Sequence, residues 1–279
     1  WAAGEGATGG RDGQAARDSN AQKESVVRRV GIGRSMFSAV SLPGVAVACV
    51  DSLDSYGLLA GISDTQRRST ILGRFTRMYS PAIGTDLAME YLGETGLEAM
   101  AGADILKAAP QMYSSSVEYG DTIVARKLKD IAQIHLANLG TRIFYCDYGS
   151  FDSHANQLGM HANLWTDVNR AVGDFFADLR EHDAADNVVM LLFSEFGRRV
   201  RDNGSGTDHG SAGVAFAIGD RVKGGQYGEY PSTKSEDLEQ GDLVPNLDFR
   251  GFDSTVLEDW LGLDSKPIVK GTFEKPAFL

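Results

Sequence analysis

The sequence has little cysteine and no long apolar run. Its two cysteines, Cys49 and Cys146, can form at most one disulfide, which is too few for a disulfide scaffold or a structural zinc cluster. No stretch approaches eighteen consecutive apolar residues, because two serines and a proline interrupt the most apolar one, residues 36–50. A membrane-spanning helix is therefore not expected.

The sequence also lacks an excess of positive charge. Its formal net charge is −11 at pH 7. A surface that repels phosphate gains nothing from counterion release, so a nucleic-acid partner is not expected. With 42% hydrophobic and 23% charged residues, the chain has an ordinary globular composition. A wholly disordered chain is thereby excluded.

Two regions differ in their capacity to fold. Residues 1–24 are rich in glycine and have no aliphatic side chain larger than alanine, so they bury too little surface to offset the entropy of ordering. We predict that they form a loop or flexible segment. Residues 25–279 are predicted to form a single α/β domain. The chain starts at Trp1 without a signal-peptide pattern, as if a preceding segment were missing or removed.

Apolar runs and helical spacing alternate along the second region. Strands are predicted at residues 45–50, 141–148, 187–193 and 212–218. Helices are predicted at residues 64–79, 86–107, 121–139, 158–181 and 254–261. This alternation is typical of a doubly wound, mostly parallel sheet with helices on both faces. We expect the runs 141–148, 187–193 and 212–218 to share one sheet.

Two polar residues follow the predicted strand 141–148. In open parallel sheets, ligands bind beyond the carboxyl ends of the strands. Asp152 and His154 are two positions apart, so on an extended chain they point to the same side and could bind one metal ion. The alternative is an aspartate that caps the next helix beside a packed histidine.

The segment after the predicted strand 187–193 is the richest in reactive side chains. Ser194 and Glu195 lie at the strand end, and Arg198 follows. Asp208 and His209 lie in a glycine-rich stretch, and adjacent extended residues point to opposite sides, which suits two metal ions a few ångströms apart. The alternatives are a buried ion pair between Glu195 and Arg198 and a plain surface turn for the glycines.

The other three histidines have less specific settings. His161 is predicted in the first turn of the helix after His154, where it could support a metal ligand. His135 lies on an apolar helical stripe and is predicted to pack in the core. His182 is predicted to be solvated at a helix end.

The order of these motifs resembles one family. The sequence resembles the family called domain of unknown function 1501 in the order of its motifs. These are FDSHANQ, a long amphipathic helix, a strand ending in SEFGR, then NGSGTDHG, KGGQYGEYP, LDFRGF and WLGLD. The resemblance spans about Val117–Phe273. That family is similar to the alkaline phosphatase and sulfatase superfamily, which implies an alkaline phosphatase-like fold and one or two divalent metal ions.

The resemblance implies roles for particular residues. Asp152, His154, Asp208 and His209 would be ligands for zinc, manganese or calcium. Arg198 would bind ester oxygens. From its position alone, Ser194 is the one hydroxyl at a strand end beside these ligands, and its partner Glu195 is a poor activating base unless burial raises its pKa. Superfamily phosphatases separate the first Asp and His by three positions rather than one and use a later histidine, whereas no histidine follows His209.

The resemblance also implies a function and a location. The chain matches the C-terminal two thirds of the family pattern, so the N-terminal strands and the superfamily nucleophile are expected upstream. We expect a metal-dependent hydrolase of small phosphate or sulfate esters, with negligible turnover by residues 1–279 alone. The alternatives are a non-catalytic extracytoplasmic binding or structural protein and, less favoured, an isomerase or mutase. Family members are exported through twin-arginine signals, which predicts a periplasmic or extracellular location.

Overall fold

The computed structural model describes residues 27–41, 47–57, 61–62, 64–80 and 86–279. The predicted loop 1–24 lies outside these residues. The described chain divides into two compact units. One contains the residues up to Tyr148 together with Arg170–Asp178, and the other contains Gly149–Asn169 and Leu179–Leu279. The single domain over residues 25–279 stays a prediction.

The first unit contains a small parallel sheet. Its strands are β1 (Arg29–Ile32), β2 (Ala48–Val50) and β3 (Ile143–Cys146). β1 lies between the other two and pairs with both in parallel. Val30 and Ile32 on β1 are fully buried, as expected of a central strand in a parallel sheet.

Three helices of the first unit begin at polar caps. They are α1 (Thr65–Tyr79), α2 (Leu87–Ala108) and α3 (Ile123–Leu136). The side chains of Asp64, Asp86 and Thr122 each accept a hydrogen bond from a backbone N–H of the first turn, which satisfies one of the donors that a helix start leaves open. The predicted helices at 64–79, 86–107 and 121–139 are therefore confirmed to within three residues.

The second unit combines short strands with helices. Its elements are α4 (Gln157–Glu181), β4 (Met190–Leu192), β5 (Gly197–Asp202), β6 (Thr207–Gly210), β7 (Phe216–Ile218), α5 (Phe249–Thr255) and α6 (Lys266–Val269). The middle of α4 belongs to the first unit. A π-helical turn, Val256–Trp260, continues α5. β4 pairs with β7 and β5 pairs with β6, both antiparallel.

The prediction that residues 141–148, 187–193 and 212–218 share one sheet is wrong. β3 pairs with β1, whereas β4 and β7 form a separate two-stranded ladder. The connection from β4 to β7 contains the β5–β6 pair and no helix, and parallel strands usually need a helical crossover. The chain therefore returns antiparallel, and the fold is a mixed α/β structure with a small parallel sheet.

Neither cysteine forms a disulfide. Cys49 on β2 and Cys146 on β3 are both free thiols. Burial raises the pKa of the Cys146 thiol to about 11, which keeps it protonated and poorly nucleophilic. Among the described helices, none is both long enough and apolar enough to cross a membrane.

A half-buried carboxyl on α3 supports the turn that follows β2. Asp130 Oδ2 accepts a hydrogen bond from the backbone N–H of Leu53 at 3.4 Å. Burial raises the pKa of Asp130 from 3.8 to about 6, although the Leu53 N–H partly opposes the shift. The native state therefore holds this proton to a higher pH than the unfolded chain does.

Replacing Asp130 by Asn should flatten the pH dependence of stability. Between about pH 4 and pH 6 the native carboxyl is protonated more than the unfolded one, so the wild-type free energy of unfolding falls as the pH rises. We expect the wild type to lose about 1–2 kcal/mol relative to Asp130→Asn over this range, after allowance for solvent screening. Urea unfolding at several pH values measures the difference. The exposed Asp186→Asn variant is the control, and an equal slope in both variants would contradict the prediction.

Candidate metal centre

The β5–β6 pair carries Asp208 and His209. Its turn is closed by the side chain of Asn203, whose Oδ1 accepts hydrogen bonds from the backbone N–H groups of Ser205 at 3.1 Å and Gly206 at 2.9 Å. Gly204 has a φ of +101°, a conformation that favours glycine. The pairing of Arg198 with His209 then fixes the position of His209 on β6.

The same turn caps the helix that follows His154. Asn156 precedes α4 with a φ of +51° and makes no side-chain cap of its own. The turn supplies acceptors instead, because Ser205 Oγ accepts from Asn156 N–H at 3.1 Å and Ser205 O accepts from Gln157 N–H at 3.5 Å. A Cβ on Gly206 would lie 2.9 Å from the carbonyl oxygen of His154, so only glycine allows this close approach. The turn and the 152–156 segment are thereby held together.

These contacts bring three candidate ligands together. Asp152 Oδ1 lies 2.8 Å from His209 Nε2 and 3.3 Å from His154 Nε2. One ligand atom from each of the three residues lies within 4.8 Å of the others. The side chains are 63%, 51% and 42% exposed for Asp152, His154 and His209, so the cluster is open to solvent.

Asp208 lies behind this cluster. Its Oδ1 is 3.3 Å from His154 Nδ1, on the opposite side of the ring from Asp152. The structure thus brings all four sequence-predicted ligands together, but it groups Asp208 with His154 rather than with the three converging atoms. Metal-bound histidines commonly make such a hydrogen bond to a carboxylate through the other ring nitrogen. The role of each residue as a ligand stays a prediction.

The donor set suits a divalent ion. Two imidazoles and one carboxylate are the protein ligands of several catalytic zinc sites. Ligand atoms at about 2.0–2.2 Å from a tetrahedral ion lie roughly 3.3–3.6 Å apart. The separation of Asp152 Oδ1 from His154 Nε2 is 3.3 Å, that from His209 Nε2 is shorter at 2.8 Å, and all three atoms lie within 4.8 Å of one another. The residues present therefore fit a metal ion after an adjustment of these separations.

The surroundings keep both carboxylates ionised. The hydrogen bond from His209 is the largest cause that holds the pKa of Asp152 below its usual value, and charges on His154 and Arg198 add to it. The pKa of Asp208 is lowered first by the Asn203 hydrogen bond and then by His154. Both groups are therefore anionic acceptors well into the acidic range.

Stacked rings fix the orientation of His209. The Phe196 ring lies parallel to it, with centroids 4.2 Å apart and an interplanar angle of 8°. His154 stacks on His209 with centroids 4.9 Å apart. The imidazole of His209 therefore has a constrained ring plane, and its Nε2 faces Asp152.

The predicted catalytic residues have other partners. Arg198 donates from Nη1 to Thr207 O and from Nη2 to Phe151 O, both at 2.7 Å, so a bidentate grip on an ester would require both bonds to break. Ser194 Oγ accepts from Phe196 N–H at 3.3 Å. Glu195 is exposed, and the alternative ion pair with Arg198 does not form among the described residues. The roles of Ser194, Glu195 and Arg198 in catalysis stay predictions.

The remaining histidines lie outside the converging ligand atoms. His161 Nε2 contacts Ser153 Oγ at 3.2 Å and Phe151 O at 3.1 Å, so it supports the segment that carries Asp152. His135 is half-buried and meets the Phe144 ring edge-on at 6.4 Å. His182 is the C-terminal cap of α4.

Arg198→Lys should destabilise the second unit. A lysine ammonium lacks the planar fork that reaches two carbonyl groups at once, so at least one hydrogen bond is lost. We expect the free energy of unfolding to fall by about 1–3 kcal/mol. Chemical denaturation measures it, with the exposed Arg201→Lys on the same strand as the matched control. Equal stabilities of Arg198→Lys and Arg201→Lys would show that the two hydrogen bonds of Arg198 contribute nothing to the free energy of unfolding.

Comparison with known families agrees with the sequence resemblance. A family model described as protein of unknown function (DUF1501) matches residues 88–276, which is more than half of the chain. No curated protein and no solved structure matches. The motifs that suggested this family, including the segments with Asp152 and His209, all lie within the matched region. This chain belongs to the DUF1501 family.

Proposed function

We propose that this protein is a metal-dependent hydrolase of phosphate or sulfate esters. The observation that carries the proposal is the convergence of Asp152, His154 and His209, whose ligand atoms lie within 4.8 Å of one another on an exposed surface. A bound divalent cation would polarise an ester oxygen. Three protein ligands leave coordination positions open, as in catalytic rather than structural metal sites.

Positive side chains near the cluster support an anionic substrate. Arg198 lies close enough to lower the pKa of Asp152 by its charge. Arg199 has the same effect on Asp208 while its Nε lies 3.3 Å from Asp242. Because the Nη atoms of Arg198 hold backbone carbonyls, its contribution is a fixed positive field rather than a direct contact with the ester.

The superfamily assignment is part of the same proposal. The Asp208-His209-Gly210 tripeptide resembles the metal-binding element of the alkaline phosphatase and sulfatase superfamily. The mixed α/β structure and its small parallel sheet are compatible with that superfamily's doubly wound fold. A periplasmic or extracellular location is proposed on the family resemblance alone.

A second candidate function is a metal-binding protein without turnover. The hydrogen bonds that the predicted catalytic residues make favour this function. Arg198 is committed to two backbone carbonyls, and no bond from Ser194 to Glu195 is formed in the described part of the chain. A serine without an adjacent base is a poor nucleophile.

Metal binding should depend on His209. We expect the protein to bind one zinc or manganese ion, and His209→Ala to weaken binding by more than about 100-fold, because it removes one of three ligands. Isothermal titration calorimetry on the metal-free protein measures the affinity. His182→Ala is the control, since it lies at the other end of α4, a helix of 25 residues. Failure of the wild type to bind any ion would refute both candidate functions.

Turnover separates the two candidates. We expect the native protein, as its source cells produce it, to hydrolyse aryl phosphate or aryl sulfate esters when zinc, manganese or calcium is added, and His209→Ala to abolish the activity. Intact metal binding without turnover would favour the second candidate. For residues 1–279 alone we expect negligible turnover, and activity that Ser194→Ala abolishes would identify Ser194 as the nucleophile.

A further inference from the structure

Asn203 makes four hydrogen bonds with a single side chain. Its Oδ1 accepts from Ser205 N–H and Gly206 N–H, which closes the turn between β5 and β6. Its Nδ2 donates to Asp208 Oδ1 and to the carbonyl oxygen of His154, each at 3.1 Å. The amide thus uses both donors and two acceptor sites. The four partners also fix its orientation, because the backbone N–H groups can face only the oxygen.

The two donor bonds of Asn203 end on the candidate centre. One holds the carboxylate of Asp208, and the other holds the backbone of His154, 49 residues away in sequence. The same Asp208 oxygen lies 3.3 Å from His154 Nδ1. That contact keeps the Nδ1 side of the ring on Asp208, so that Nε2, 3.3 Å from Asp152 Oδ1, lies with the converging ligand atoms. The sequence DNGSG gives no sign of this, because it reads as an ordinary turn.

We propose that Asn203 is a positioning residue of the metal centre. Through Asp208 it fixes the orientation of the His154 ring, and through the His154 carbonyl it fixes the backbone that carries the ring. The inference deepens the proposed function, since it concerns the same metal site. The hydrogen bonds of Asn203 do not go to the converging ligand atoms, so it acts through Asp208 and the His154 backbone.

Two substitutions separate positioning from turn formation. Asn203→Ser keeps a side-chain oxygen that can accept the turn N–H groups and adds no charge, but its single hydroxyl proton cannot replace the two amide protons that bond Asp208 and His154. Ser205→Ala removes a contact from the same turn, the cap of Asn156, without touching Asp208. A purely structural role for the turn would affect both variants alike.

The first measurement is metal affinity. We expect Asn203→Ser to raise the Kd for zinc about 10-fold to 100-fold, the usual effect of removing a group that orients a ligand. Ser205→Ala should stay within about threefold of the wild type, since it leaves Asp208 and His154 in place. Equal changes in the two variants would overturn the proposal.

The second measurement needs no metal. Proton NMR of the metal-free protein reports the orientation of the His154 ring through its contacts with the His209 ring, whose centroid is 4.9 Å away. We expect these ring-to-ring contacts in the wild type and in Ser205→Ala, and their weakening in Asn203→Ser. Unchanged contacts in Asn203→Ser would also overturn the proposal. If the wild type binds no ion, the proposed function fails, and this spectrum still tests the link from Asn203 to His154.

Discussion

One guanidinium group holds together the two chain segments that carry the candidate ligands. Arg198 donates to the carbonyl oxygens of Phe151 and Thr207, which directly precede Asp152 and Asp208. Each bond joins a charged donor to a backbone acceptor, the stronger class of hydrogen bond in proteins. The spacing of the two segments is therefore set by the main chain. The positions of the side chains in the cluster depend on these two hydrogen bonds.

The β5–β6 pair extends the same constraint to both sides of His154. Phe196, which directly precedes β5, stacks on His209 of β6, and the turn between the strands holds Asp208 against the ring of His154. His154 thus lies between two carboxylates, with Asp152 at Nε2 and Asp208 at Nδ1. The electrostatic cost of bringing these two carboxylates together is small because imidazole, amide and guanidinium groups neutralise them or donate hydrogen bonds to them. The carboxylates and imidazoles are therefore already held close to one another before any ligand is bound.

The sequence predicts helices more accurately than strands in this chain. Helix α3 is found within three residues of its predicted limits because Thr122, the apolar stripe and the following Gly140 are local signals. The strands are shorter than their apolar runs, and β1 was not predicted as a separate strand. Strand pairing depends on connections between distant segments, which periodicity does not report. The expectation that residues 141–148, 187–193 and 212–218 share one sheet therefore could not be checked from the sequence.

The sequence predicts which residues form the candidate site but not how they are arranged. Asp152, His154, Asp208 and His209 stand out because their residue types suit metal ions and the segments around them are rich in glycine or follow apolar runs. The β5–β6 pairing was missed, since charged residues occupy both faces of the Arg198–Asp202 run and give no alternation. That pairing decides which way Asp208 points. The sequence therefore could not show that Asp208 would contact His154 Nδ1 while His209 faces Asp152.

The capping of α4 links the order of synthesis to the order of folding. The acceptor for the Asn156 N–H is Ser205 Oγ, 49 residues further along the chain. While the polypeptide emerges from the ribosome, the body of α4 can form from local contacts, but its first turn stays incomplete until the later turn has been made. The start of α4 is then completed by a contact that closes only after the later turn exists. The proposed binding of a metal ion, which also needs His209 from the same β5–β6 pair, would accordingly be a late event in the maturation of the protein.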